Sequence, residues 1–76
     1  MKDLATYILS QLVGNTEAVN VTESESEGNV TLTLKVAKED MGRVIGKGGK
    51  VIGAIRDVIK ILALKENRHV DIILAE

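Results

Sequence analysis

The sequence predicts a single α+β domain in which three helices cover one face of a three-stranded sheet. A chain of 76 residues is too short for two domains, and a hydrophobic fraction of 45% is enough for a packed core. Apolar residues recur at helical spacing in two segments and alternate strictly with polar residues in others. The elements that these patterns predict follow one another in the order α-β-β-α-α-β.

The first predicted helix begins near Asp3, whose carboxylate suits an N-cap. Gly14 and Asn15 tolerate a left-handed backbone, so we expect them to end this helix as a C-cap. Between these limits, four apolar residues have the spacing of one helical face: Leu4, Tyr7, Ile8 and Leu12.

Three segments predict strands: "VNVTES" (19–24), "NVTLTLKV" (29–36) and "HVDIILAE" (69–76). The turn "SEGN" lies between the first two, and we expect positive φ at Gly28 and Asn29 there. Alternation assigns one face of the second and third strands to the core: Val30, Leu32, Leu34 and Val36, then Val70, Ile72 and Leu74.

Two further helices are predicted on either side of a glycine-rich break. The segment "AKEDMGRVIG" (37–46) predicts a short helix, with Glu39 and Asp40 suited to its first turn. A longer helix runs on from Lys50. Arg56 and Lys60 lie one turn apart on its exposed side, where they are either solvated or in contact with a ligand. Its predicted core face consists of Val51, Ile52, Ile55, Val58, Ile59 and Leu62.

The composition narrows the class of protein. The chain has no cysteine, which excludes disulfides, zinc–thiolate sites and thiol catalysis. Because a small secreted domain would normally carry disulfides, we expect a cytoplasmic protein. No apolar run approaches the roughly 20 residues of a membrane-spanning helix, and the N-terminal segment lacks the pattern of a signal peptide. We therefore expect no membrane partner.

The charge is unevenly distributed although the net charge is only −1. Nine of the ten lysine and arginine residues lie between positions 35 and 68, together with four of the eleven acidic residues. This basic half surrounds the glycine-rich break. A local basic patch favours binding of a polyanion more than the total charge does.

The glycine-rich break, residues 46–49 or Gly-Lys-Gly-Gly, carries the strongest functional signal. A reversal between two helices in four residues needs backbone angles that glycine permits and other residues disfavour. The loop leads into a helix N-terminus, where free N–H groups and the helix dipole attract phosphate. Lys47 and Lys50 add positive charge. These features favour a phosphodiester backbone lying across the loop, although a tight turn without a ligand would use the same glycines.

Other phosphate-binding and catalytic motifs fail. A Walker A loop would need its second glycine at Lys47, and a dinucleotide fingerprint would need glycine at Val51. A helix-turn-helix that binds DNA matches the sequence better than these two motifs do, but its turn contains fewer glycines. The only histidine, His69, has no serine, cysteine or clustered carboxylate nearby in sequence. We therefore expect no enzyme, no metal, no cofactor and no small-molecule substrate.

The stretch "VIGKGGKVIGAI" (44–55) resembles the signature of the KH domain, through Val44, Ile45, Gly46, Gly49, Ile52 and Ile55. The predicted element order is similar to the bacterial, type II arrangement of that fold. The lead-in "AKEDMGRVIGKGG" and the length closely resemble the KhpA family of small bacterial KH proteins. This resemblance covers residues 1–76 as a single KH domain.

The resemblance implies a groove for single-stranded RNA between the GxxG loop, its flanking helices and a sheet edge. It also implies an RNA chaperone or post-transcriptional regulator that forms homodimers or pairs with a second, KhpB-like KH protein. Gly48 departs from the family, because a polar residue usually holds that position. The resemblance implies that Ile45 lies in the floor of the groove and that Lys47 and Gly48 contact phosphates. Arg43 and Lys50 would lie beside these phosphates, and Gly46 and Gly49 are the two glycines of the GxxG loop.

Three functional hypotheses follow from these observations. The first is a KH domain that binds single-stranded RNA through its glycine loop. The second is a dimer-forming scaffold subunit whose partner makes most of the RNA contact. The third, an enzyme acting on nucleotides, is disfavoured because the phosphate-loop motifs fail and no base–nucleophile set is present.

Overall fold

The computed structural model describes residues 1–75, and its elements follow the predicted order α-β-β-α-α-β. Short 3₁₀ turns lie at Thr16–Ala18, Lys38–Asp40 and Lys47–Gly49. Glu76, the last residue of the third predicted strand, lies outside the described residues. The helices and strands are α1 (Lys2–Leu12), β1 (Asn20–Ser26), β2 (Asn29–Lys35), α2 (Met41–Ile45), α3 (Lys50–Lys65) and β3 (His69–Leu74).

The three strands form one mixed sheet in the order β1-β2-β3. β1 pairs antiparallel with β2, with Val21 opposite Leu34, as a hairpin requires. β2 pairs parallel with β3, with Leu32 opposite Ile72. Two neighbouring parallel strands need a long crossover, and α2, the glycine loop and α3 supply it. The loop therefore lies within this crossover, between its two helices.

The core lies between one face of the sheet and the helices. Leu32 and Leu34 of β2 are fully buried, as are Leu9 of α1, Val44 of α2 and Ile59 of α3. The intervening residues of β2, threonines and a lysine, are half-buried or exposed. All three helices therefore cover the same face of the sheet, and the predicted α+β fold class is confirmed.

The apolar face predicted for α1 is right except at Tyr7, because Leu4, Ile8 and Leu12 pack against the core. Tyr7 is 64% exposed, whereas Ala5 and Leu9, which were not predicted, are fully buried. Ala5 and Leu9 are one turn apart and form the centre of the buried stripe. Asp3 lies in the first turn and does not cap the helix, because the N-cap is Met1.

The end of α1 also differs from its prediction. The helix ends at Val13 in an extended conformation, and neither Gly14 nor Asn15 has a positive φ. The backbone N–H groups of Gly14 and Asn15 instead donate to the carboxylate of Asp40, 26 and 25 residues further along the chain. A long-range hydrogen-bond pair therefore replaces the local cap that the two residue types predicted.

The hairpin between β1 and β2 turns on two residues with positive φ, Glu27 (52°) and Gly28 (83°). Ser26 and Asn29 form the pair that closes it. This is the pattern of a type I′ turn, whose twist matches that of the strands. The prediction was right for Gly28 and wrong for Asn29, which is the first residue of β2.

Helix α3 matches its predicted start at Lys50, and Ile52, Ile55 and Ile59 of its predicted core face are buried. Val58 is 47% exposed although it was predicted in the core, and Ala63, which was not predicted, is buried. Across residues 1–75, none of the helices combines the length and apolar character needed to cross a lipid bilayer.

Candidate nucleic-acid interface

The glycine loop joins α2 to α3 through backbone angles that other residues disfavour. Gly46 has φ 74° and ψ 171°, a region that is essentially restricted to glycine. Gly48 (φ 65°) and Gly49 (φ 77°) follow in the left-handed region. The N–H of Gly46 donates to the carbonyl of Gly42 (2.9 Å), and the N–H of Gly49 donates to that of Gly46 (3.1 Å). The predicted tight reversal is confirmed.

Gly46 also lies against the first turn of α3. A Cβ atom built at Gly46 would lie 2.8 Å from the backbone N of Val51 and closer still to its Cγ2. Cβ atoms added at Gly48 and Gly49 would meet no atom within 4 Å. The loop therefore combines a packed glycine at its base with two open glycines at its tip.

The tip of the loop presents positive charge to solvent. Lys47 and Lys50 are exposed, and the first turn of α3 has no acidic residue. The two ion pairs formed within residues 1–75 involve neither lysine. A helix of 16 residues adds the positive end of its dipole and the free N–H groups of its first turn. This surface suits an anion such as a phosphodiester.

An apolar groove of about 710 Å³ lies beside the loop and includes Ile45. Ile45 is 38% exposed, and Met41 lies one turn earlier on the same side of α2. Val36 completes the apolar wall, and Lys35 and Lys38 also line the groove. Sequence reasoning missed both lysines, although their position in the basic half of the chain was a usable signal.

Arg43 is placed apart from the other predicted site residues. Its position on α2 is about 200° around the helix axis from that of Met41. Arg43 Nη1 is 3.8 Å from Asp40 Oδ1, and it lies 3.3 Å from the point where a Cβ of Gly14 would be. The side chain therefore extends toward the end of α1. The structure brings together Ile45, Gly46, Lys47, Gly48, Gly49 and Lys50, but not Arg43.

Asp40 is a buried acid that fastens α2 to the end of α1. Its side chain is 3% exposed, and its two oxygens accept the N–H groups of Gly14 (3.0 Å) and Asn15 (3.1 Å). These two hydrogen bonds, with a smaller contribution from the charge of Arg43, hold the pKa of Asp40 below its ordinary value of 3.8, against the opposing effect of burial. Because α2 carries Ile45 and leads into the loop, Asp40 fixes the base of the site.

Arg56 is engaged within the fold. Its Nε–H donates to the carbonyl oxygen of Ile72 at 3.4 Å, on the edge of β3 that pairs with no other strand among residues 1–75. Lys60, one turn further along α3, is exposed and lines a smaller cavity at the far end of the helix. Sequence reasoning had treated these two residues alike, and the structure separates them.

Comparison with known proteins identifies the family. The sequence profile of the KhpA/KhpB KH domain matches residues 2–74. RNA-binding protein KhpA of Clostridium perfringens is 49% identical over 70 residues, which cover 92% of this chain and 93% of that protein. RNA-binding protein KhpA of Clostridium acetobutylicum is 50% identical with the same coverage, and that of Listeria monocytogenes is 37% identical over the full length of both chains. The resemblance seen in the glycine loop is thus confirmed over the whole domain, and the chain belongs to the KhpA/KhpB family of KH domains.

Proposed function

We propose that this protein binds single-stranded RNA, with the phosphodiester backbone across residues 46–49 and bases in the groove beside Ile45. The observation that carries the proposal is the loop itself. It exposes two open glycines and the uncompensated charges of Lys47 and Lys50 at the N-terminus of α3. A KH loop of this kind clamps about four nucleotides. The proteins to which the chain is similar are named RNA-binding proteins.

The groove favours bases held by apolar contact and hydrogen bonding. Val36, Met41 and Ile45 offer aliphatic and thioether surface, and Lys35 and Lys38 offer donors at its margin. The only aromatic residue, Tyr7, lies on α1 and does not line the groove. This composition differs from sites that stack bases on aromatic platforms. Arg43 is the weakest of the proposed contacts, because its side chain extends toward Gly14.

The proposed role is that of a cytoplasmic RNA chaperone or post-transcriptional regulator, without catalytic activity. A single KH site that grips about four nucleotides gives weak binding with little sequence preference. Weak, broad binding suits transient contact with many RNAs. The family membership and the charge of the loop support this role.

Reversing the charge of the loop tests the proposal. We expect the double variant Lys47→Asp/Gly48→Asp to weaken binding to a short unstructured RNA by about tenfold or more, because it removes one cation and adds two anions beside the phosphates. Fluorescence anisotropy at two salt concentrations measures this loss, and circular dichroism verifies the fold.

The matched control is Lys65→Asp, a charge reversal at an exposed position in the last turn of the same helix. It should bind RNA much as the unmodified protein does. Equal binding by the folded loop variant and the unmodified protein would mean that residues 46–49 form only a turn.

A second candidate function, that of a dimer-forming subunit, is favoured by an apolar stripe on α3. Val58 and Ile61 are three residues apart and are 47% and 58% exposed. We propose that this stripe joins two copies of the chain, or joins it to a second KH protein of the KhpB type. Dimerisation would place two RNA grooves on one particle and raise avidity through effective concentration.

We expect Ile61→Asp to shift the protein toward the monomer, because a buried, unpaired carboxylate is costly in an apolar interface. Sedimentation velocity over a range of concentrations measures the change. Ser24→Asp, an exposed position on β1, should leave the assembly unchanged. If the unmodified protein sediments as a monomer, homodimerisation is contradicted. Pairing with a second KH protein is then measured by sedimentation of a mixture of the two proteins.

A further inference from the structure

A second basic site lies at the opposite end of α3 from the glycine loop. A cavity of about 240 Å³ opens where α3 ends and β3 begins. Lys60 and Arg68 place two fixed positive charges there, beside the imidazole of His69 and the carboxylate of Asp71. Leu64 and Val70 complete the lining. Neither the glycine loop nor the groove beside Ile45 shares a lining residue with this cavity.

A path along α3 connects the loop with this cavity. Gly49, Gly53, Arg56, Lys60 and Leu64 are spaced at i, i+4, i+7, i+11 and i+15 and therefore lie along one strip of the helix surface. A Cβ atom at Gly53 would meet nothing within 4 Å, so the path is open near the loop. Lys60 is ten residues beyond Lys50, which is about 15 Å along the helix axis.

From these observations we propose that the cavity is a second phosphate-binding site for the same RNA strand. In it, the ammonium group of Lys60 and the guanidinium group of Arg68 hold a phosphodiester, and Glu25 of β1 competes with that phosphate for Arg68. The inference rests on the proposed RNA binding and extends it. Arg56 is not assigned to this site, because it does not line the cavity and its Nε–H donates to the carbonyl oxygen of Ile72.

The competition follows from the ion pair that Arg68 forms. Arg68 Nη2 donates to Glu25 Oε1, and the two side chains are 38% and 53% exposed. An exposed ion pair of this kind contributes little to stability, so its exchange for another anion costs little. A phosphodiester presents two oxygens and one negative charge, which suits the fork of a guanidinium group as a carboxylate does. Lys60, which forms no ion pair among residues 1–75, then adds a second cation.

The site suits a tethered phosphate more than a free one. Asp71 lines the cavity, and Glu25 forms an ion pair with Arg68. Two carboxylates therefore repel inorganic phosphate that approaches from solution. A strand already held at the loop brings its next phosphates to the cavity at high effective concentration. The second site therefore acts on RNA that is long enough to reach it and has little effect on a fragment that fills only the loop.

The experiment compares RNAs of four and ten nucleotides, without secondary structure, on the full chain. Each phosphate contact on a single strand contributes about 0.7 to the slope of log affinity against log salt. We expect Lys60→Ala/Arg68→Ala to remove one phosphate contact, to reduce this slope by about 0.7 for the ten-nucleotide RNA and to weaken its binding about tenfold at low salt. Binding of the four-nucleotide RNA should not change. Lys65→Ala, an exposed lysine outside the cavity, is the matched control.

Removing the competing carboxylate of Glu25 should strengthen RNA binding, whereas a loss of folding would weaken it. Glu25→Gln frees Arg68, so we expect binding of the ten-nucleotide RNA to tighten about twofold, with a steeper salt dependence. Glu23→Gln removes a charge two residues earlier on the same face of β1 and should have a much smaller effect, since only Glu25 is paired with Arg68 among the described residues.

The outcomes separate the second site from the loop. Equal salt slopes for the Lys60/Arg68 variant and the unmodified protein, or equal effects of the two glutamate substitutions, would overturn the second site. If the second site were overturned in this way but Lys47→Asp/Gly48→Asp still abolished binding of both RNAs, the proposed RNA binding through the loop would stand without the second site. If the unmodified protein bound neither RNA, the proposed function and this inference would fall together. Tight binding of inorganic phosphate alone would show a free-anion site instead.

Discussion

Replacing Gly46 with alanine is expected to lower the free energy of unfolding by about 3 kcal/mol, a large share of the stability of a domain this small. Gly46 has φ 74° and ψ 171°, where a Cβ atom is strongly disfavoured. The added methyl would also lie 2.8 Å from the backbone N of Val51, which cannot rotate away. Urea denaturation with an unchanged m-value measures the loss.

Gly48 provides the matched control for this substitution. It has φ 65° and ψ 20°, and a Cβ atom there would meet nothing within 4 Å. Gly48→Ala therefore costs only the left-handed backbone, about 1 kcal/mol. Combining Gly46→Ala with Val51→Ala removes Cγ2 but not the backbone contact, so it should restore only part of the stability. Equal losses at Gly46 and Gly48 would mean that the contact with Val51 has no energetic role.

The elements that sequence predicted best are those whose signal is local. The alternation of Val30, Leu32 and Leu34 specifies one buried face of β2, because a slip of one residue would expose all three side chains. The glycines of the loop were informative for a similar reason. Few other residues adopt their backbone angles, so their spacing located both helix ends and most of the candidate site.

The features that sequence missed depend on partners far along the chain. The prediction for α1 was wrong at Tyr7 because Tyr7 and Leu9 are both apolar, and only contact with the sheet decides which is buried. Gly14 and Asn15 have the residue types of a left-handed cap, but the carboxylate of Asp40 satisfies their N–H groups instead. No local pattern reports a partner 26 residues away. For the same reason, the pairing of Arg68 with Glu25 was not predictable.

Asp40 links the stability of the candidate site to acid pH. The pKa of its carboxyl group is lower in the folded protein than its ordinary value of 3.8, chiefly because of the hydrogen bonds from Gly14 and Asn15. A group of this kind stabilises the folded state fully above its unfolded pKa, and the contribution is lost as the pH falls through the folded value. We therefore expect the unfolding midpoint to be steady near neutral pH and to fall increasingly below about pH 4.

The substitution Asp40→Asn tests this dependence directly. The amide retains one acceptor oxygen and directs an NH₂ group toward N–H donors at the end of α1, so one hydrogen bond is replaced by a repulsive contact. We expect the midpoint at pH 7 to fall by about 5–10 °C. The difference between variant and unmodified protein should then narrow on acidification, since protonation removes the same charge that the substitution removes. Asp57→Asn, at an exposed position on α3, should leave both the midpoint and its pH dependence nearly unchanged. A constant difference from neutral pH down to strongly acid pH would mean that the charge of Asp40 does not contribute, and that α2 and the loop it carries are held by packing alone.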